Sequence, residues 1–198
     1  MKILGLDLSY STGWSLIDSN NISLLDYGVV AIPEPFHSNV LFDYQQMDRA
    51  AAVGQFVYTL VHGKQPDLIV IEQTNKGKNR TSQRGLEWIH YSVLLELRRF
   101  YQDKIIYVDT SEWRNKLNIK LDKSQRKHNQ DVKYRKARGK ITSKHLSVNL
   151  VNIEFDMKLK LKDNDIADAI CLGLYAAKIW LPKQSRATLI DEALKDLI

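Results

Sequence analysis

Ile3-Leu4-Gly5-Leu6-Asp7-Leu8-Ser9-Tyr10-Ser11-Thr12-Gly13-Trp14-Ser15-Leu16-Ile17 holds two apolar runs, a turn between them and one carboxylate inside the first. Residues 2–8 are β-rich and predict a buried first strand. Residues 9–13 predict a turn and 14–17 a second strand. Asn20-Asn21 then turns the chain into a third strand over 24–32. Together these predict an antiparallel meander, in which Asp7 is the costly residue. A carboxylate in a buried strand loses its water and is tolerated only beside something positive.

The same anomaly recurs twice. Leu68-Ile69-Val70-Ile71 predicts a fully apolar fourth strand, and Glu72 ends it. Asp165 and Asp168 open a long apolar helix, three residues apart and so on one face. Taken singly, each acid has a plain role: a solvated strand acid, an ion-pair partner or a charge matched to a helix N-terminus. Together they number four, from three distant segments. If strands one and four are neighbours, Asp7 and Glu72 meet. Four like charges in one cleft repel unless cations compensate them. Oxygen-only ligation favours Mg²⁺ or Mn²⁺ over zinc, and two ions about 4 Å apart would suit hydrolysis at phosphate.

The intervening chain fills in a mixed sheet flanked by helices. Pro33 and Pro35 break the third strand's ladder. Residues 41–62 have apolar residues at helical spacing: Leu41, Tyr44, Met47, Ala51, Phe56 and Leu60. Gly63 and Pro66 stop that helix. A polar loop over 74–84 precedes a helix over 86–101, with Leu86, Ile89, Val93, Leu94 and Leu97 inward. A fifth strand over 105–108 leads to a brief helix capped by Thr110 or Ser111. Residues 122–140 are polar and basic, predicting a mobile loop or a helix ordered on binding. Thr142 or Ser143 caps a helix with Leu146, Leu150 and Ile153 on one face. Asp163 or Asn164 caps the next, over 166–181, which Pro182 follows. An amphipathic segment over 188–197 is expected to pack at the edge.

Composition bounds the partners. The chain has 198 residues, enough for a single domain, and 44% hydrophobic content argues against wholesale disorder. No apolar run is long enough to cross a bilayer, so no membrane partner and a cytoplasmic location are expected. The lone Cys171 excludes an intramolecular disulfide and reads as a small buried hydrophobe. The net charge of +6 is local: residues 120–144 hold ten Lys and Arg against two Asp. The rest of the chain is slightly acidic. A basic segment beside a carboxylate site points to nucleic acid.

Gly5-Leu6-Asp7-Leu8-Ser9 with Thr12-Gly13-Trp14-Ser15-Leu16-Ile17 resembles the first hairpin of RuvC-type Holliday junction resolvases, of the RNase H-like superfamily. Ile71-Glu72-Gln73, followed by Asn79, Ser82 and Arg84-Gly85, resembles the family's second acidic motif. Arg138-Gly139-Lys140, Ser143-Lys144 and Val148 resemble its basic glycine motif. Asp165-Ile166-Ala167-Asp168-Ala169 resembles its closing acidic helix. The resemblance implies an RNase H-like five-stranded mixed sheet, an antiparallel meander plus parallel strands, flanked by helices. It implies that Asp7, Glu72, Asp165 and Asp168 ligate two Mg²⁺ ions, with Mn²⁺ able to substitute. It implies a homodimer that nicks a four-way DNA junction symmetrically. Bacterial members carry an aromatic wedge after the second acid; here Thr74-Asn75-Lys76-Gly77-Lys78 has none. That departure points to a looser branched-DNA nuclease of the phage type. Lys76, Lys78, Arg80, Arg84, Lys133, Arg135, Lys136, Arg138, Lys140 and Lys144 are the candidate DNA contacts.

Three other readings remain open at this stage: a nuclease of RNA or RNA–DNA hybrid, an actin-like ATP-binding protein sharing the opening hairpin, and a DNA-binding protein without catalysis. Tyr10 suits either a stacked base or a plain turn aromatic. His90 is expected to be satisfied structurally, while His128 and His145 are candidates to touch phosphate.

Overall fold

A hairpin needs two β-formers and a turn, and the opening residues supply both. In the computed structural model, which describes residues 1–33, 42–74, 80–134 and 138–185, β1 (Lys2–Asp7), β2 (Ser11–Asp18) and β3 (Ser23–Ala31) form the antiparallel meander. β4 (Leu68–Glu72) pairs with β1 in parallel, and β5 (Ile105–Val108) pairs with β4 in parallel. The sheet order is β3-β2-β1-β4-β5. The two central strands, β1 and β4, are apolar on both faces, as strands covered on both sides must be.

Alternation sorts the sheet's side chains into two cores. Leu4, Leu6, Leu16, Ile69 and Ile71 face helices α1 (Phe42–Lys64) and α2 (Arg80–Tyr101). Ile3, Ile17, Leu68 and Val70 face the opposite layer. That layer comprises α3 (Thr110–Lys116), α5 (Ser143–Phe155) and α6 (Asn164–Tyr175). A further helix, α4 (Lys123–Lys133), stands between α3 and α5 in the chain.

α6 lies against the sheet with almost nothing between. A Cβ at Gly5 would fall 2.3 Å from the Ala169 carbonyl oxygen, and one at Gly13 would fall 1.9 Å from that of Asp165. The buried Ser15 hydroxyl donates to the Ala169 carbonyl at 2.8 Å. The helix backbone therefore rests on glycine, not on side chains. Past Tyr175 the helix widens into a π turn over Ala176–Trp180 and then continues through Ser185, with Pro182 inside it. A proline ring strikes the carbonyl four residues back in a regular helix. The widened turn directly before Pro182 lets the chain pass, so the proline does not end the helix as expected.

Several helix faces differ from the sequence reading. On α1, Leu60 is buried as the spacing predicts and Phe56 is partly buried, but Tyr44, Met47 and Ala51 are exposed, and Ala50, Val53, Val57 and Val61 are buried in their place. Leu94 on α2 and Ile153 on α5 also face outward. Both faces of α1 carry apolar residues, so periodicity alone does not separate them. The cap of α3 is Asp109, one residue before the expected Thr110 or Ser111; its carboxylate accepts from the Ser111 and Glu112 amides. Leu41, Pro35 and the segment 188–197 lie outside the described residues.

Candidate active site

The register brings the strand acids together. Leu6 pairs with Ile71 in the parallel ladder, so the next residues, Asp7 and Glu72, sit side by side at the ends of β1 and β4. Both belong to the face that α6 covers, because alternation places Gly5 and Val70 there too. On its other side Asp7 pairs with Gly13, and Gly13 is where the Asp165 carbonyl of α6 makes its close approach. One helical turn further along α6, Asp168 is buried at 3% exposure. Three sequence-distant segments thus converge on the carboxyl ends of β1 and β4.

The acids bear on one another electrostatically. Burial pushes the Asp7 carboxyl well above its ordinary range, and the charges of Glu72, Asp168 and Asp165 raise it further, with Lys144 acting the other way. Asp7 keeps some contact with solvent, although most of its carboxyl is surrounded by protein. Glu72 is raised by burial against the lowering effects of Thr110 and Arg114. Asp168 is raised by burial against those of Ser147, Arg114 and Lys144.

Helix α3 supplies two groups that the sequence reading missed. Thr110 and Arg114 lie four residues apart, on one face. The Thr110 hydroxyl donates to Glu72 Oε1. Arg114 Nη2 donates to Asp168 Oδ2 at 3.1 Å. Asp109 caps this helix and the Tyr175 hydroxyl donates to its Glu112, so α3 is tied to α6. A threonine and an arginine at this spacing are common on helices, which left no signal to find them by. Ser11 donates to Asp165 Oδ2 at 2.8 Å. Lys144, in the first turn of α5, bonds Asn164 and stands 3.9 Å from Asp165 Oδ1.

Among the described residues, no three acid, histidine or cysteine side chains stand close enough to hold an ion as they are posed. Three of the four acids are turned toward a protein partner: Glu72 to Thr110, Asp165 to Ser11, Asp168 to Arg114. The donor set nonetheless suits a hard cation. It is all oxygen, Asp7 and Asp168 are raised first by burial and further by neighbouring carboxylates, and Asp168 Oδ1 is buried with no hydrogen-bond partner.

The other candidate contacts are scattered. Lys133, Arg138 and Lys140 are exposed around α4 and the turn after it. Arg84 pairs with Asp43 and lies over the Trp88 ring at 5.0 Å. Arg80 begins α2. Lys76, Lys78, Arg135 and Lys136 lie outside the described residues, as does most of the loop that lacks the wedge. Tyr10 carries the Arg49 guanidinium 3.9 Å from its ring centre and donates to the Gln46 carbonyl, so it serves as a structural aromatic. His90 meets the Tyr107 hydroxyl at 3.3 Å, and burial pulls its pKa down to about 4. His128 and His145 are both engaged within the protein, with Gly139 and Thr142. No helix among the described residues is long and apolar enough to cross a membrane.

No protein-family model and no curated relative match the sequence. Solved structures do match the fold. Thermus thermophilus RuvC, in a complex with Holliday junction substrate, aligns over 89% of this chain and 93% of its own, with a TM-score of 0.61 at 14% identity. The yeast mitochondrial Holliday junction resolvase Ydc2 aligns over 99% of this chain and 84% of its own, with a TM-score of 0.54 at 13% identity. Fowlpox virus resolvase, solved with Holliday junction DNA, aligns over 91% and 99%, with a TM-score of 0.50 at 16% identity. The chain has the RNase H-like fold of RuvC-type resolvases: a five-stranded mixed sheet between helical layers.

Proposed function

We propose that this protein is a magnesium-dependent endonuclease that cuts Holliday junctions and other branched DNA as a homodimer. One observation carries the reading: four acids from β1, β4 and α6 meet at one end of the sheet, in a fold shared with three junction resolvases.

In this reading Asp7, Glu72, Asp165 and Asp168 hold two Mg²⁺ ions, or Mn²⁺. Bound there, the metal would supply a Lewis acid at the phosphate and a water of lowered pKa. The chain's own groups do the rest. Thr110 and Ser11 orient the Glu72 and Asp165 carboxylates. Arg114 offsets the buried charge of Asp168. The half-exposed Lys144 lies where the scissile phosphate would approach Asp165, and Lys133, Arg138 and Lys140 meet neighbouring phosphates.

The homodimer draws support from α2. Tyr91, Leu94 and Leu95 project to solvent beside the edge strand β5, lining a groove of about 420 Å³ with Ile105 and Tyr107. An exposed apolar patch of this kind suits a protein interface, and a two-fold pair across it would give two active sites to one junction.

The test is one gel carrying a four-way junction, a flap, an RNA–DNA hybrid and a plain duplex, each with Mg²⁺, Mn²⁺ or EDTA. Junction cleavage with either metal, some flap cleavage and none in EDTA are expected. Cleavage confined to the hybrid would replace DNA with RNA as the substrate. Junction binding without cleavage in either metal would leave a binding protein.

A further inference from the structure

The excursion between Arg114 and Lys144 is built as a unit, and its construction has a purpose that the acid cluster does not explain. α4 begins with a capping box: the Asp122 carboxylate accepts from the Gln125 amide at 2.7 Å, and the Gln125 side chain accepts from the Asp122 amide at 3.1 Å. Its inner side, Gln125, His128, Asn129 and Val132, is partly buried. The Asn129 side-chain amide donates to the Ile141 carbonyl and accepts from the Ile141 amide, both at 2.8 Å. His128 Nε2 donates to the Gly139 carbonyl at 2.8 Å, where Gly139 takes the left-handed backbone (φ 77°) that lets the chain return. Two side chains on one helix face thus clamp the connecting segment that leads into Lys144.

The opposite side of α4 is exposed and repeats at helical spacing: Lys123, Arg126, Lys127 and Lys133, with Tyr134 at its end. No carboxylate interrupts this stripe; Asp131 lies off it. Lys123 to Lys133 spans about 15 Å of helix axis. That covers about four phosphates of one duplex strand at 3.4 Å per charge. The wider segment 120–144 holds ten Lys and Arg against two Asp, in a chain whose net charge is +6.

We infer that α4 is a separate grip for the sugar–phosphate backbone of a duplex DNA arm. Asn129 and His128 act as positioning residues that hold the grip at a fixed angle to the segment leading into α5. The inference rests on the DNA-nuclease reading for its partner. It is tested by binding alone, in EDTA, so that cleavage plays no part.

The experiment measures fluorescence anisotropy of a labelled junction, plain duplex and RNA–DNA hybrid across a salt series. The variants are Lys123→Gln/Arg126→Gln/Lys127→Gln/Lys133→Gln and, separately, Asn129→Ala, with helix content followed by circular dichroism. The fourfold variant should flatten the log–log salt slope by about three units on both junction and duplex. Asn129→Ala, which leaves every cation in place, should also lower affinity and flatten the slope. An unchanged slope in the fourfold variant would overturn the grip, whatever the cleavage assay shows. A change confined to the hybrid would overturn the assignment to duplex DNA. An unaltered Asn129→Ala slope would overturn the positioning role.

Discussion

At the scale of single residues, Asp7 has its carboxyl withdrawn from water and the charges of Glu72, Asp168 and Asp165 around it. Asp7→Asn is expected to slow cleavage by on the order of several kcal/mol in activation free energy, while leaving junction binding in EDTA intact. Near wild-type turnover in Asp7→Asn, Glu72→Gln and Asp168→Asn alike would sink the metal site. The same substitution makes a stability prediction with a definite sign. The raised pKa means that the folded chain holds the Asp7 proton more tightly than the unfolded chain does. Without divalent metal, its contribution to stability is therefore greatest at low pH. It is lost as pH rises from the ordinary carboxylate range through the raised value. Asp7→Asn should remove that part of the slope and raise the metal-free melting temperature near neutral pH, by about 2–4 °C for each kcal/mol gained. Arg114 is the converse case. Arg114→Met leaves Asp168 buried beside an apolar chain, and should cost about 1–3 kcal/mol in urea unfolding of the metal-free protein. A neutral result would mean that Lys144 and Ser147 suffice. Asp7, Glu72, Asp165 and Asp168 could be singled out in the sequence because a carboxylate in an apolar run is costly wherever it occurs. Thr110, Ser11 and Arg114 could not, because their meaning comes from which acid they face.

At the scale of elements, the strands were readable and the helix faces less so. β1, β4 and β5 are short apolar runs with clear stops, and their parallel pairing follows from the helices between them. α1 lies where the spacing puts it, with Leu60 inward, but Tyr44 and Met47 are apolar and yet exposed, so its first half faces differently from the spacing. α4 takes the helical of the two forms expected over 122–140, at Lys123–Lys133. Its composition is that of a loop, with Val132 as its only aliphatic residue larger than alanine, but Asp122 and Gln125 cap it and Asn129 ties it down. Hydrogen bonds to the backbone stabilise it in place of an apolar face, and hydropathy does not register them. Asp122→Ala should therefore cost about 1 kcal/mol of local helix stability. It should appear as lost helical circular dichroism and faster amide exchange over 123–133, with the sheet unaffected. Unaltered exchange there would show that the Asn129 and His128 clamps hold the helix without its cap.

At the scale of the whole molecule, the proposed symmetric nicking needs two acid clusters, and the apolar face of α2 is the surface proposed to bring two copies together. Leu95→Glu should shift sedimentation to the monomer mass and convert paired nicks on a cruciform plasmid into single, unpaired ones. Dimer mass and paired nicking retained in that variant would place the interface elsewhere. A different property of the molecule follows from Gly5 and Gly13. Because the backbone of α6 rests directly on β1 and β2, no rotamer change can widen the gap between the helix and the two strands. The helix must lift off the sheet, and that removes the core of its layer. Such an opening is close to complete unfolding in free energy. Heating should therefore leave turnover rising smoothly until the melting transition itself. Inactivation and loss of structure should share one midpoint, with no cooler temperature at which the fold persists and the chemistry has already failed.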